Sequence, residues 1–179
     1  MNSIKIEIAG KQDSKVIQKI YQTAFPEEES AMVAKLAIDL LAEKTIHEIL
    51  SLVAREIETT LGHVAFSPVK VENNESCKAS ILAPLAVHSE HQQKKVGSRL
   101  IEFGIEKLKE AGGNIVFVYG DPEFYGKFGF HADIAGDFPA PYNLEYPFGW
   151  QALILKDWSN KTTPAATSYV SALSDSDLW

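Results

Sequence analysis

Leu85-Ala86-Val87-His88-Ser89-Glu90-His91-Gln92-Gln93-Lys94-Lys95-Val96-Gly97-Ser98 is the stretch on which the reading of the fold turns. An apolar run enters a short polar loop, and the loop opens a long amphipathic segment. The run from Ala79 to Val87 is so apolar that it predicts a central strand buried on both faces. Beyond the loop, Val96, Leu100, Phe103, Gly104, Leu108 and Ala111 recur at helical spacing. Gly112-Gly113 is a natural stop, because glycine accepts the left-handed cap. Ile115 to Tyr119 is apolar again, so strand, helix and strand form a β-α-β crossover.

The loop also carries a binding hypothesis. First-turn amides of a helix lack internal partners and point along a positive dipole, which suits a phosphate or diphosphate. Gly97 removes a side chain where a phosphate must approach the backbone, Lys94 and Lys95 add charge, and Ser98 adds a hydroxyl. The stretch holds neither the G-x-G-x-x-G dinucleotide pattern nor a Walker loop. A strand-loop-helix with one glycine and two lysines is also common without any ligand.

Towards the N-terminus, Ile4, Ile6 and Ile8 alternate with Lys5, Glu7 and Ala9, a strand pattern. A helix follows from about Asp13, a candidate N-cap, with Val16, Ile17, Ile20, Tyr21 and Ala24 on one face. Pro26 ends it, and Glu27, Glu28 and Glu29 open a second helix where carboxylates suit the dipole. Leu50 to Glu56 and Leu61 to Glu72 read as two strands, with a turn over 56–60 and another at Asn73-Asn74-Glu75-Ser76. Towards the C-terminus come a helical turn near Pro122 to Lys127, an aromatic loop from Phe138 to Trp150 and a strand from Gln151 to Leu155. The order is β-α-α-β-β-β-α-β-α-β, a mixed α/β sheet with helices on both faces. Residues 1–158 are expected to form one domain, and 159–179 a tail that is either loosely held or an added edge strand.

The chain has 179 residues and a net charge of −7, against a role for duplex nucleic acid as the main partner. One cysteine, Cys77, excludes an internal disulfide and favours a reducing, cytoplasmic location. No segment reads as a signal peptide or a membrane span, so no membrane partner is expected. His47, His63, His88, His91 and His131 show no familiar ligand spacing, so no metal is expected. A serine hydrolase is not indicated, because G-x-S-x-G is absent.

Two motifs carry a resemblance. Gln92-Gln93-Lys94-Lys95-Val96-Gly97 is similar to the Q/R-x-x-G-x-G/A junction of the Gcn5-related N-acetyltransferases (GNAT). Tyr119-Gly120-Asp121-Pro122-Glu123-Phe124-Tyr125-Gly126-Lys127-Phe128-Gly129-Phe130 resembles the more specific second element of the YhbS-like group of that family. Gly62 to Val69 also looks like that group, and the similarity spans roughly residues 4–156.

The resemblance implies a GNAT-type mixed, mostly antiparallel sheet flanked by helices. It implies acetyl-coenzyme A as donor and an amine as acceptor, joined by direct attack in a ternary complex. Leu85, Ala86 and Val87 would line the acetyl and pantetheine end. Gln92, Gln93, Lys94, Lys95, Val96, Gly97 and Ser98 would hold the diphosphate. The donor would lie between the Ala79–Val87 and Ile115–Tyr119 strands, with Phe124 and Tyr125 beside it. Tyr125 would be the general acid, since a phenol near pKa 10 is protonated at neutral pH. Without the resemblance, Tyr125, Phe124 and Phe128 read as aromatic packing around a turn.

The first glycine of the motif is Lys95 here. This substitution either weakens donor binding or is compensated, and it keeps a second function in view: a non-catalytic GNAT-fold module binding coenzyme A or a protein. No general base stands out among Glu28, Glu29, His63 and His88. The loop from Tyr142 to Trp150 either lines an acceptor pocket or covers a sheet edge. The acceptor and the oligomeric state are not legible.

Overall fold

The computed structural model describes residues 3–43, 49–158 and 163–179. His47 lies outside the described residues. A seven-stranded, mostly antiparallel sheet flanked by helices runs in the order β1-β2-β3-β4-β5-β6, with β7 paired to β3. The strands are Lys5–Ile8, Leu50–Glu56, Thr59–Val71, Ala79–Val87, Ile115–Tyr119, Trp150–Ile154 and Thr167–Ser168. The helices are α1 Ser14–Ala24, α2 Glu27–Ala42, α3 Val96–Glu110, α4 Pro122–Tyr125 and α5 Ala132–Ala135. The contacts divide the chain into two compact units, one comprising Met1–Phe66 with Pro84–Gly104 and the other Ser67–Ala83 with Ile105–Trp179.

In the first unit, β1 and β2 pair antiparallel from Lys5↔Arg55 to Ile8↔Leu52. Strands β2 and β3 follow as a meander from Leu50↔Phe66 to Glu56↔Thr59. The turn between them is tighter than expected, only Ile57 and Glu58, because Ile57 accepts a left-handed φ of 56°. The apolar stripes of α1 and α2 meet around Ile17, Ile20, Tyr21, Ala34 and Ala37, which pack with Val53 and Ala86. Asp13 precedes α1 as expected, but its side chain does not cap the helix. Its carboxylate instead accepts the Gly10 N–H at 2.8 Å and an Arg55 N–H at 2.5 Å. Burial opposes its charge, yet those two donors win and hold the pKa below the ordinary aspartate value. Midway along α3 the packing is so close that a Cβ on Gly104 would overlap the Phe66 ring.

In the second unit, β4 and β5 pair parallel from Ala79↔Ile115 to Ile81↔Phe117. Strands β5 and β6 pair antiparallel from Ile115↔Ile154 to Tyr119↔Trp150. Phe117 is stacked on Trp150 at 5.2 Å and meets Phe138 edge-on at 5.3 Å. Gly112, at φ 78°, stops the helix α3 as the sequence predicts. Thr167 and Ser168 pair antiparallel with Val71 and Lys70. Trp179 packs on Tyr142, Trp150 and Tyr169, with ring centroids 5.3–6.2 Å apart.

Candidate active site

The polar loop between β4 and α3 lies wholly in the first unit. Val87 leads into a 3-10 turn, Ser89–His91, closed by the His91 N–H donating to the His88 carbonyl at 2.8 Å. Gln92 then returns to extended backbone, and its side-chain amide donates to the Val87 carbonyl at 3.2 Å. That bond ties the loop to the strand it leaves, a positioning role that the sequence expectation did not contain. Gln93 and Lys95 both take left-handed backbone, at φ 60° and 61°. A left-handed residue beside a right-handed one, as Lys95 is beside Val96 at the head of α3, turns successive N–H groups toward one concave side, a shape that binds anions.

Lys95, in place of the motif glycine, takes the backbone conformation that a glycine would take. The chain keeps the left-handed conformation that glycine would favour, at a cost of roughly 1–3 kcal/mol for a residue with a Cβ. Its side chain is exposed. The first bond into the helix runs from Arg99 N–H to Lys95 C=O at 3.1 Å. Among the described residues, the N–H groups of Val96, Gly97 and Ser98 show no backbone hydrogen bond into the preceding loop, as is usual for the first turn of a helix. Lys94 is exposed, with its ammonium 3.1 Å from the Glu90 carbonyl. On the preceding strand, Ala86 is buried while Leu85 and Val87 are half-buried. The loop residues predicted to hold a diphosphate thus share one segment with two exposed lysines and left-handed backbone at Gln93 and Lys95.

Tyr125 sits in the second unit on the short helix α4. Asp121 caps this helix, accepting the Glu123 N–H at 2.9 Å, and Pro122 occupies its first turn. Gly126 to Phe128 forms a 3-10 turn, and Gly129 leaves it at φ 92°. The Tyr125 ring meets Phe124 and Phe130 edge-on at 5.0 and 5.9 Å. It lies against Gly120, where a Cβ would come within 2.5 Å of the ring. Gly120 is thus required by the tyrosine, a relationship that the sequence reading missed. The ring is packed among aromatics, and among the described residues no hydrogen bond ends on its hydroxyl. Burial, with a further push from Asp121, raises the Tyr125 pKa above the ordinary tyrosine range. The phenol is fully protonated at neutral pH.

Other candidates separate clearly. His63 is fully buried between Tyr21 and Ser51, with 2.8 Å bonds to each hydroxyl, and serves the core. Glu28 and Glu29 are exposed in the first turn of α2. The aromatic loop divides. Trp150 is buried, its indole N–H donating to the Phe138 carbonyl at 2.8 Å, and Tyr142 donates to the Ser174 carbonyl at 2.6 Å. Tyr146 and Phe148 remain exposed and meet edge-on at 5.9 Å. Among the described residues, no helix is long and apolar enough to cross a membrane.

Residues 5–132 match the family profile described as "Acetyltransferase (GNAT) domain". The chain belongs to the GNAT acetyltransferase family. Within this family it is similar to the uncharacterized N-acetyltransferase YjhQ of Escherichia coli K12, at 38% identity over 140 residues, covering 76% of this chain and 75% of that protein. It is similar in structure to the GNAT-family N-acetyltransferase YhbS of Escherichia coli, solved in complex with CoA. That likeness has a TM-score of 0.83 and 28% identity, over 96% of this chain and 92% of that one. A GNAT-family acetyltransferase of Brucella melitensis, solved in complex with acetyl-CoA, gives a TM-score of 0.71 and 25% identity, over 96% and 99% of the two chains.

Proposed function

We propose that this GNAT-family chain transfers an acetyl group from acetyl-coenzyme A to a primary amine, by direct attack in a ternary complex. The observation that carries the reading is the loop from Gln92 to Ser98. Its left-handed residues at Gln93 and Lys95, and the amides opening α3, offer what a diphosphate needs. Backbone N–H groups of 93–98 would hold the diphosphate, and the Lys94 and Lys95 ammonium groups would add long-range attraction. Leu85, Ala86 and Val87 would line the pantetheine arm.

Acetyl-coenzyme A supplies an acetyl group activated as a thioester. The chain's own part is to orient the reactants and to manage protons. Tyr125 Oη, protonated and with no hydrogen-bond partner among the described residues, is the group assigned to give a proton to the departing thiolate. General acid help of this kind is typically worth about 10²–10⁴ in rate. Phe124 packs edge-on against the Tyr125 ring. The net charge of −7 favours the approach of a cationic amine over an anionic one.

Isothermal titration with acetyl-coenzyme A, followed by thiol-release assays over a panel of amines, tests this reading. Saturable donor binding and amine-dependent release are expected. Absence of heat at millimolar donor would remove the proposal. Binding without release for any amine would leave a coenzyme A-binding module in its place.

A further inference from the structure

The turn that precedes the donor loop gathers three ligand-bearing side chains. His88, Glu90 and His91 each offer one donor atom, and the three atoms lie within 4.8 Å of one another. The cause is local. Residues i and i+3 of a 3-10 turn eclipse, so His88 and His91 project on one side of Ser89–His91. Their ring centroids are 5.7 Å apart. Both histidines are half-buried while Glu90 is exposed, so the rings are partly held and the carboxylate is free to swing in. From the sequence no metal is expected, because the histidines show no familiar ligand spacing.

We propose that His88, Glu90 and His91 form a binding site for a borderline divalent transition-metal ion, of the Zn²⁺ class. Two imidazoles and one carboxylate are a donor set for such ions and not for Mg²⁺ or Ca²⁺, which take oxygen ligands. Metal–nitrogen bonds of about 2.0–2.1 Å place neighbouring ligands of a tetrahedral ion roughly 3.4 Å apart. Binding requires a modest rotation of these side chains from the present spacing to that value. The fourth position stays open to water. The turn already draws a cation: the Lys94 ammonium sits 3.4 Å from His91 Nδ1 and 3.1 Å from the Glu90 carbonyl. An arriving ion displaces Lys94 from this position, as well as the weak 3.4 Å bond from Glu90 N–H to His88 Nδ1.

The site is tested on the full chain without any donor or acceptor, so its outcome is independent of the transfer reaction. Co²⁺ is added as a spectroscopic probe and Zn²⁺ is titrated by calorimetry and by competition against it. One equivalent of Co²⁺ with an absorption typical of tetrahedral coordination is expected. His91→Ala and His88→Ala should each weaken the ion at least tenfold, with circular dichroism and melting temperature unchanged. Lys94→Gln, which removes the competing ammonium, should tighten it several-fold. Absence of a stoichiometric Co²⁺ site, or equal affinity in both histidine variants and the parent, overturns the proposal. So does weaker binding in Lys94→Gln.

Discussion

Tyr21 Oη and His63 Nδ1 lie 2.8 Å apart in the core of the first unit, while the other ring nitrogen of His63 meets Ser51 Oγ at the same distance. The imidazole is fully buried, and that burial lowers its pKa from 6.5 to about 3, against a smaller opposing pull from the Asp13 carboxylate. In the unfolded chain it titrates near 6.5. Between these values the unfolded state binds a proton that the native state refuses. Stability therefore falls on acidification below about pH 6.5, by about 1.4 kcal/mol per pH unit, and His63 has no effect on the slope above it. Asp13, whose folded pKa lies below 3.8, contributes its own loss only in more acid solution. Urea denaturation between pH 4.5 and 8 checks this; His63→Gln should flatten the slope and lower stability at pH 8, since each buried hydroxyl that loses its partner costs about 1–3 kcal/mol.

Tyr125→Phe keeps the ring that fills the space over Gly120 and removes only the hydroxyl. Donor affinity by calorimetry should change less than twofold, while kcat should fall by about 10²–10⁴. Unchanged kcat would remove Tyr125 from the chemistry.

Lys95→Gly relieves a left-handed backbone. The gain should be about 1 kcal/mol in denaturation, the relief of roughly 1–3 kcal/mol less the extra freedom glycine gives the unfolded chain. Lys95→Ala keeps the Cβ and loses the ammonium, so it should gain no stability. Donor affinity that is similar in the glycine and alanine variants would assign any loss to charge and none to loop shape.

Gly104→Ala sets two effects against each other. Helix propensity favours alanine by about 1 kcal/mol. Overlap with the Phe66 ring, itself almost fully buried, costs about 1–3 kcal/mol and has no easy relief. A net loss of stability is expected, and Phe66→Leu in the same chain should recover part of it. A double-mutant cycle measures the coupling.

Trp179→Ala removes three ring contacts and the indole donor to the Leu173 carbonyl at 3.1 Å. Hydrogen exchange should quicken at Thr167 and Ser168 and at their partners Lys70 and Val71, and should stay unchanged in Ile17 to Tyr21 of the first unit.

Periodicity and glycine placement in the sequence determined the strand-helix-strand frame, the meander before it and the stop at Gly112, because hydrophobic burial and backbone sterics act over a few residues. The same locality placed the polar loop proposed to hold the donor at the head of α3 and marked Tyr125 through a motif of contiguous residues. Only the tertiary structure decided that Lys95 would keep a glycine's backbone shape, that Asp13 would abandon its helix for Arg55, and that Gly104 and Gly120 exist to admit Phe66 and Tyr125. It also decided which histidine serves the core and which two share a turn. These outcomes depend on close packing and on competition between partners such as Asp13 and Arg55, 42 positions apart, which no local pattern encodes.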